Sequence, residues 1–184
     1  MVTVKPNFYE LKQELSETQL KSMLNFLDYR SNDPCFLQMV KEHHRYAPVL
    51  YRGIHYPLKK LEIGMSYSHF ESLSSWSTEF DVARTFNLDT DLSEGFIEDM
   101  ILEMGFDLMD TEAFSKNWEK AVNQFVEVVF KVKSQRGFPV NDFIDHPLYS
   151  SEKEFVLHNG IWTIVDVAET YDVQGRRFYL VELA

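Results

Sequence analysis

Tyr149-Ser150-Ser151-Glu152-Lys153-Glu154-Phe155-Val156-Leu157-His158-Asn159-Gly160 is the stretch whose reading decides the fold. Two carboxylates, Glu152 and Glu154, stand two residues apart ahead of a short apolar run, and Gly160 closes it. Such a run reads as a strand, in which residues i and i+2 point to the same face. Both carboxylates then aim into one cleft from the strand's mouth. Like charges this close cost free energy unless something uses them. Taken alone, the stretch is better read as a solvated strand end with Lys153 between two acids. Two upstream stretches change that balance.

The first is Pro48-Val-Leu-Tyr-Arg-Gly-Ile54, a strand whose apolar run is interrupted by Arg52 just before Gly53. An arginine inside a buried strand needs an anion, either an internal carboxylate or a bound phosphate. Gly53 lets a ligand approach the backbone closely. The second runs from Ser72 to Phe86, a strand around Leu73–Trp76 that turns into a helix. Thr78 or Ser77 caps that helix, and Phe80, Ala83 and Phe86 share one of its faces. Capping accounts for one or two of the hydroxyls. It does not account for five in seven residues with Trp76 among them, and hydroxyls at such a corner can position a sugar or a carboxylate.

Elsewhere the chain is helical first and extended later. Ser16-Glu-Thr-Gln19 has the form of a capping box, so a helix begins there. Asp33-Pro34 starts a second helix that runs to about His44. These two read as a packed N-terminal cap without convergent chemistry, with His43-His44 as a dipole-favourable helix end. Residues 91–122 read as two helical segments broken near Gly105 to Asp110, their acids forming a solvated face. From Phe125 the period becomes two, which predicts a strand. Gly137 to Asn141 reads as a turn into a short extended piece ending near Asp145. Strands follow over Ile161 to Ala168 and Arg177 to Leu183, joined by a turn at Asp172 to Gly175. The order predicts an α+β fold. No linker or repeat divides the chain, so one domain is expected over 1–184: N-terminal helices within residues 1–46, then a β core over residues 47–184 with a helical insert at 88–122.

Composition narrows the function. Of 184 residues, 45% are hydrophobic, which supports a packed core, and the formal net charge is −11. A chain this acidic repels phosphate backbones, and no basic run exceeds Lys59-Lys60 or Arg176-Arg177, so nucleic acid is disfavoured as a partner. Cys35 is the one cysteine, which excludes an internal disulfide and a cysteine-built zinc site, and no His-Glu-x-x-His spacing occurs. Neither a signal-like N-terminus nor a run long enough to span a membrane is present. A reduced, cytoplasmic, metal-free protein is expected.

In chain order, Arg52-Gly53 on a strand, Ser75-Trp76-Ser77 with Ala83 and Phe86 on the next helix, and Glu152-Lys153-Glu154 resemble the Arg–Ser–Glu class of mono-ADP-ribosyltransferases. That class includes clostridial binary toxins, vertebrate ecto-enzymes and enzymes of T-even bacteriophages. Its third motif is an aromatic, two residues, Glu or Gln, one residue, Glu, then apolar residues and a glycine. Tyr149 to Gly160 fits it throughout. The serine motif departs at its variable middle position, where Trp76 stands. The resemblance covers residues 48–183 and is carried by the conjunction of three motifs that are weak singly.

The resemblance implies an ADP-ribosyltransferase-like fold, with N-terminal helices on a mixed, largely antiparallel two-sheet core around a bent NAD cleft. It also implies transfer of ADP-ribose from NAD, as co-substrate, to an arginine of a target protein with release of nicotinamide. That reaction passes through an oxocarbenium-like ribosyl cation, which a carboxylate can stabilise. By the match, Glu154 is the catalytic carboxylate on the nicotinamide ribose, and Glu152 is the acid that orients and helps deprotonate the incoming guanidinium. Arg52 binds the diphosphate, a match of charge and geometry, and the Gly53 backbone holds the nicotinamide amide. Ser75 positions Glu154, Ser77 lies near the ribose, Phe86 belongs to the cofactor site or to the core, and Tyr149 contacts the protein substrate. No GxGxxG motif is present, as this binding mode implies. The small, cysteine-poor form looks most like the phage enzymes, whose targets are host transcription and translation proteins. Two alternatives stand beside this: an NAD glycohydrolase that needs Glu154 but not Glu152, and an inactive interaction module in which Arg52 pairs with Glu154. A nucleic-acid acceptor is the weakest reading, given the charge.

Overall fold

The computed structural model describes residues 10–68, 72–89, 122–145, 150–158 and 160–184. The insert expected at 88–122 lies almost wholly outside them, as do His146, Pro147 and Tyr149. After a short strand β1 (Glu10–Leu11), helix α1 (Glu17–Tyr29) and helix α2 (Pro34–Glu42) precede the long strand β2 (Arg45–Pro57). Strand β3 (Ser66–Tyr67), strand β4 (Leu73–Ser77) and helix α3 (Phe80–Asp89) follow. The remainder is extended: β5 (Phe125–Pro139), β6 (Ile144–Asp145), β7 (Glu154–His158), β8 (Trp162–Tyr171) and β9 (Arg177–Leu183). The architecture is α+β.

Both N-terminal helices start where their capping residues predict. The Ser16 hydroxyl accepts from Gln19 N, and the Gln19 side chain accepts from Ser16 N, a complete capping box. The Asp33 carboxylate accepts from Phe36 N with Pro34 in the first turn, and the Ser22 hydroxyl of α1 donates to that same carboxylate, locking the helices together. His43 caps the end of α2 and packs edge-on against Phe143, a structural role.

Seven strands run in the order β2-β4-β7-β5-β9-β8-β3, and β2 also pairs with β5, closing the β2-β4-β7-β5 circuit. Pairing is antiparallel except for β5 with β9. Strands β4 and β7 lie at the middle of the packing. On one face Leu73 and Val156 meet Met23, Phe26, Phe36 and Met39 of the two helices. On the other, Trp76, Phe155 and Leu157 meet Tyr67, Phe130, Trp162 and Val181. Each such side chain contributes about 1.5–3 kcal/mol by leaving water, so this sandwich fixes β4 and β7 firmly.

The turn expected at Gly137 is instead the continuation of β5. Gly137-Phe138-Pro139 stays extended and crosses β7, with Phe138 opposite Val156 and Pro139 opposite Phe155. A Cβ on Gly137 would lie 2.5 Å from Leu157 Cδ2 and 3.1 Å from the Val156 carbonyl. The glycine therefore permits a close strand crossing, and a one-turn helix over Val140–Asp142 supplies the change of direction.

Candidate active site

Segments far apart in the chain converge on a cavity of about 260 Å³, and Arg52, Gly53, Ser75, Ser77, Phe86, Glu152 and Glu154 all line it. Sheet register brings them together. Tyr51 stands opposite Ser77, and Ser77 opposite Glu154, so β2, β4 and β7 present adjacent residues to one mouth. Of the residues expected at the site, only Tyr149 lies outside the described residues. Among the described residues no group of three or more His, Cys, Asp or Glu side chains is placed to hold a metal ion, and no helix is long and apolar enough to cross a membrane.

The two carboxylates reach the cavity by a route other than strand alternation. Strand β7 begins at Glu154, whereas Glu152 ends a one-turn helix over Ser150–Glu152. Lys153 between them takes a left-handed backbone, φ 50°. The Ser77 hydroxyl fastens this turn, donating to the Glu152 carbonyl at 2.6 Å while accepting from Glu79 N at 3.0 Å. Ser77 thus bonds Glu79, the residue ahead of α3, rather than capping the helix itself, and holds the acidic turn at once. Ser74 faces the opposite way and accepts from the indole of the buried Trp76 at 2.8 Å, which explains that hydroxyl structurally. Arg52 Nη1 donates to the Ser75 carbonyl at 2.9 Å, and its charge acts on the buried Tyr67 phenol, whose pKa burial raises and Arg52 lowers.

Glu154 is buried, and the cation that meets it comes from the N-terminal helices. Arg30 Nη1 lies 2.7 Å from Glu154 Oε1 and donates also to Ser75 Oγ at 2.9 Å. The N-terminal helices therefore do carry chemistry, contrary to their reading as a cap. The inactive-module reading set Arg52 on this carboxylate, and Arg30 occupies that place. Glu154 Oε2 is buried and accepts no hydrogen bond among the described residues. A buried carboxylate oxygen without a partner is costly, and Glu154 is among the residues that line the cavity. Glu152 beside it is pushed up to about 7, first by burial and then by the Glu154 charge, with Arg30 working in the other direction. Sequence reasoning missed Arg30 because no motif contains it. The one signal was a cation closing a well-capped amphipathic helix, which ordinarily marks only a favourable dipole contact.

No family model matches the sequence, and no curated protein matches it. Solved structures are nonetheless similar, and the first of those that follow shares the fold. The crystal structure of ADP-ribosyltransferase Vis in complex with agmatine matches with a TM-score of 0.53 at 17% identity, over 95% of this chain and 78% of that one. ADP-ribosyltransferase HopU1 of Pseudomonas syringae pv. Tomato DC3000 matches with a TM-score of 0.43 at 12% identity, over 95% and 69%. Exoenzyme S from Pseudomonas aeruginosa, solved with human 14-3-3 protein beta and carba-NAD, gives 0.40 at 15% identity, over 94% and 62%. The chain has the ADP-ribosyltransferase fold.

Proposed function

We propose that this protein is a mono-ADP-ribosyltransferase that uses NAD as co-substrate and modifies arginine side chains of a protein. The observation that carries the proposal is the convergence of Arg52, Ser75, Glu152 and Glu154 on one cavity, from three segments far apart in the chain. NAD supplies the ribosyl carbon and leaves as nicotinamide. In the cavity, Arg52 and the Gly53 backbone are the groups suited to its diphosphate and carboxamide, and the orphaned Glu154 Oε2 is suited to a ribose hydroxyl.

Arginine as acceptor rests on Glu152. A guanidinium, with a pKa above about 12, needs a base close by. A carboxyl that titrates near neutrality is matched to orient the guanidinium and take its proton late in the reaction. The bound agmatine of Vis, itself a guanidinium compound, supports the same acceptor chemistry on this fold. The likeness in form to phage enzymes makes a host protein the expected target.

Purified protein, labelled NAD and a cell lysate test the proposal, with Glu154→Ala and Glu152→Ala alongside. Wild type should label discrete proteins and release nicotinamide. Glu154→Ala should lose both activities by about 10²-fold or more, the scale for losing a group that stabilises developing charge. Glu152→Ala should keep nicotinamide release and lose protein labelling. A Glu152→Ala variant that labels proteins as wild type does would remove arginine transfer from consideration.

A further inference from the structure

We propose that Arg30, which lies outside all three motifs, is a positioning residue for the catalytic carboxylate: it grips Glu154 through Oε1, anchors it to Ser75 and leaves Oε2 for the ligand. This inference rests on the function proposed above and names a residue on which that site depends.

The geometry holds the guanidinium from several sides. Arg30 closes α1 in a left-handed conformation, φ 54°, with its N–H bonded to the Asn25 and Phe26 carbonyls. The helix end thus sets where the side chain starts. Its guanidinium then crosses the Phe26 ring at 5.3 Å, a cation–π contact, and Phe26 is itself fixed in the core. One nitrogen, Nη1, donates to both Glu154 Oε1 and Ser75 Oγ. Among the described residues, the carboxylate has one oxygen tied and one without a hydrogen-bond partner. Had both oxygens been held by the protein, a ribose hydroxyl would have to displace a bond to reach Glu154. Had neither, a buried carboxylate would choose its own rotamer. Arg30 fixes the rotamer and spares one acceptor.

Charge makes the same residue matter to Glu152. Among the described residues, the titratable and charged groups that line the cavity are Arg30 from the end of α1, Tyr51 and Arg52 from β2, and Glu152 and Glu154 from the turn and β7. Two carboxylates at one mouth repel, and they titrate as a pair. Arg30 is the cation that opposes both burial and Glu154 in setting where Glu152 gains its proton. Removing it should move that midpoint upward.

The test uses the full chain as wild type, Arg30→Ala and Arg30→Lys. Nicotinamide release is measured against NAD concentration, with and without agmatine as acceptor. Glutamate carboxyl carbons are titrated by NMR, and the Arg30 peptide is weighed after incubation with NAD. Arg30→Ala should lower kcat about 10²-fold, the scale for a misplaced catalytic group, and leave KM for NAD within about threefold. Its Glu152 midpoint should rise by about one pH unit, and the acid limb of agmatine transfer should follow it. Arg30→Lys should restore the midpoint but only a fraction of kcat, because the flexible lysine stem does not hold its ammonium where the guanidinium rests on Phe26. If Arg30→Ala does not fold, the lysine variant still reports the split between charge and geometry.

Three results overturn the proposal. The first is an unmoved Glu152 midpoint with unchanged kcat in a folded Arg30→Ala. The second is a lower KM with a higher kcat, which would make Arg30 an obstruction. The third is ADP-ribose on Arg30 itself, which would make it an acceptor. If wild type releases no nicotinamide, the proposed function fails, and the NMR titration still decides whether Arg30 controls the carboxylate pair.

Discussion

Glu152 and Glu154 share a cavity mouth but meet different surroundings. Glu154 takes its cation from Arg30, whereas Glu152 is driven toward neutrality by burial and by its neighbour's charge. The consequence for stability has a definite sign. A carboxyl whose folded pKa is raised binds more protons folded than unfolded between the two pKa values. Its contribution is complete below the unfolded value, near 4.5, and is lost as pH rises through about 7. Wild type should therefore lose stability between about pH 4.5 and 7 relative to Glu152→Gln, and the two curves should run parallel above. Denaturant melts at a series of pH values check this, and coincident slopes for both proteins would contradict it. That Glu152, Glu154, Arg52, Ser75 and Ser77 belong together could be read from motif spacing, and they line one cavity. Arg30 could not be read so, because the contact it makes spans 124 residues and leaves no local pattern.

Arg84 shows how an element can be pinned by a residue no motif marks. It lies on α3 and is buried. It reaches Glu127 on β5 at 2.7 Å and Asp172 in the β8–β9 turn at 3.4 Å, and it stacks on the Phe178 ring at 4.6 Å. Helix α3 also supplies Ala83 and Phe86 to the cavity wall, so this anchor sets one side of the site. Arg84→Ala should cost about 3 kcal/mol, because it leaves Glu127 partly buried without this cation, whereas Asp172 keeps Arg176 at 2.7 Å. Arg84→Met keeps the packing on Phe178 and should show how much of that loss is charge. Chemical denaturation of both variants measures the difference. Elements are legible where local chemistry marks their ends, as at Ser16, Asp33 and the turn before Arg177. Gly137 reads as a turn because the composition around it is that of a loop, while its actual reason is the crossing of β5 over β7.

At the scale of the molecule, the helices and the sheet make one site between them. Residues 17–42 cover the Leu73 and Val156 face of β4 and β7 and deliver Arg30 to the cavity. Any ligand that binds only this assembled state must stabilise it, by about 2.7 kcal/mol at a hundred times its dissociation constant. NAD should therefore raise the melting temperature of wild type, and less so that of Arg52→Ala. A titration that moves neither would count against the cavity as its binding site. The sequence by itself determined the α+β class, the starts of the two N-terminal helices and the three motifs, because capping, periodicity and residue chemistry are local properties. Only the tertiary structure decided that Glu152 enters the cavity from a one-turn helix, that Ser77 holds that turn while Ser74 serves Trp76, and that Arg30 meets Glu154. Each of those depends on register between strands and on packing between distant segments, which no local stretch of chain encodes.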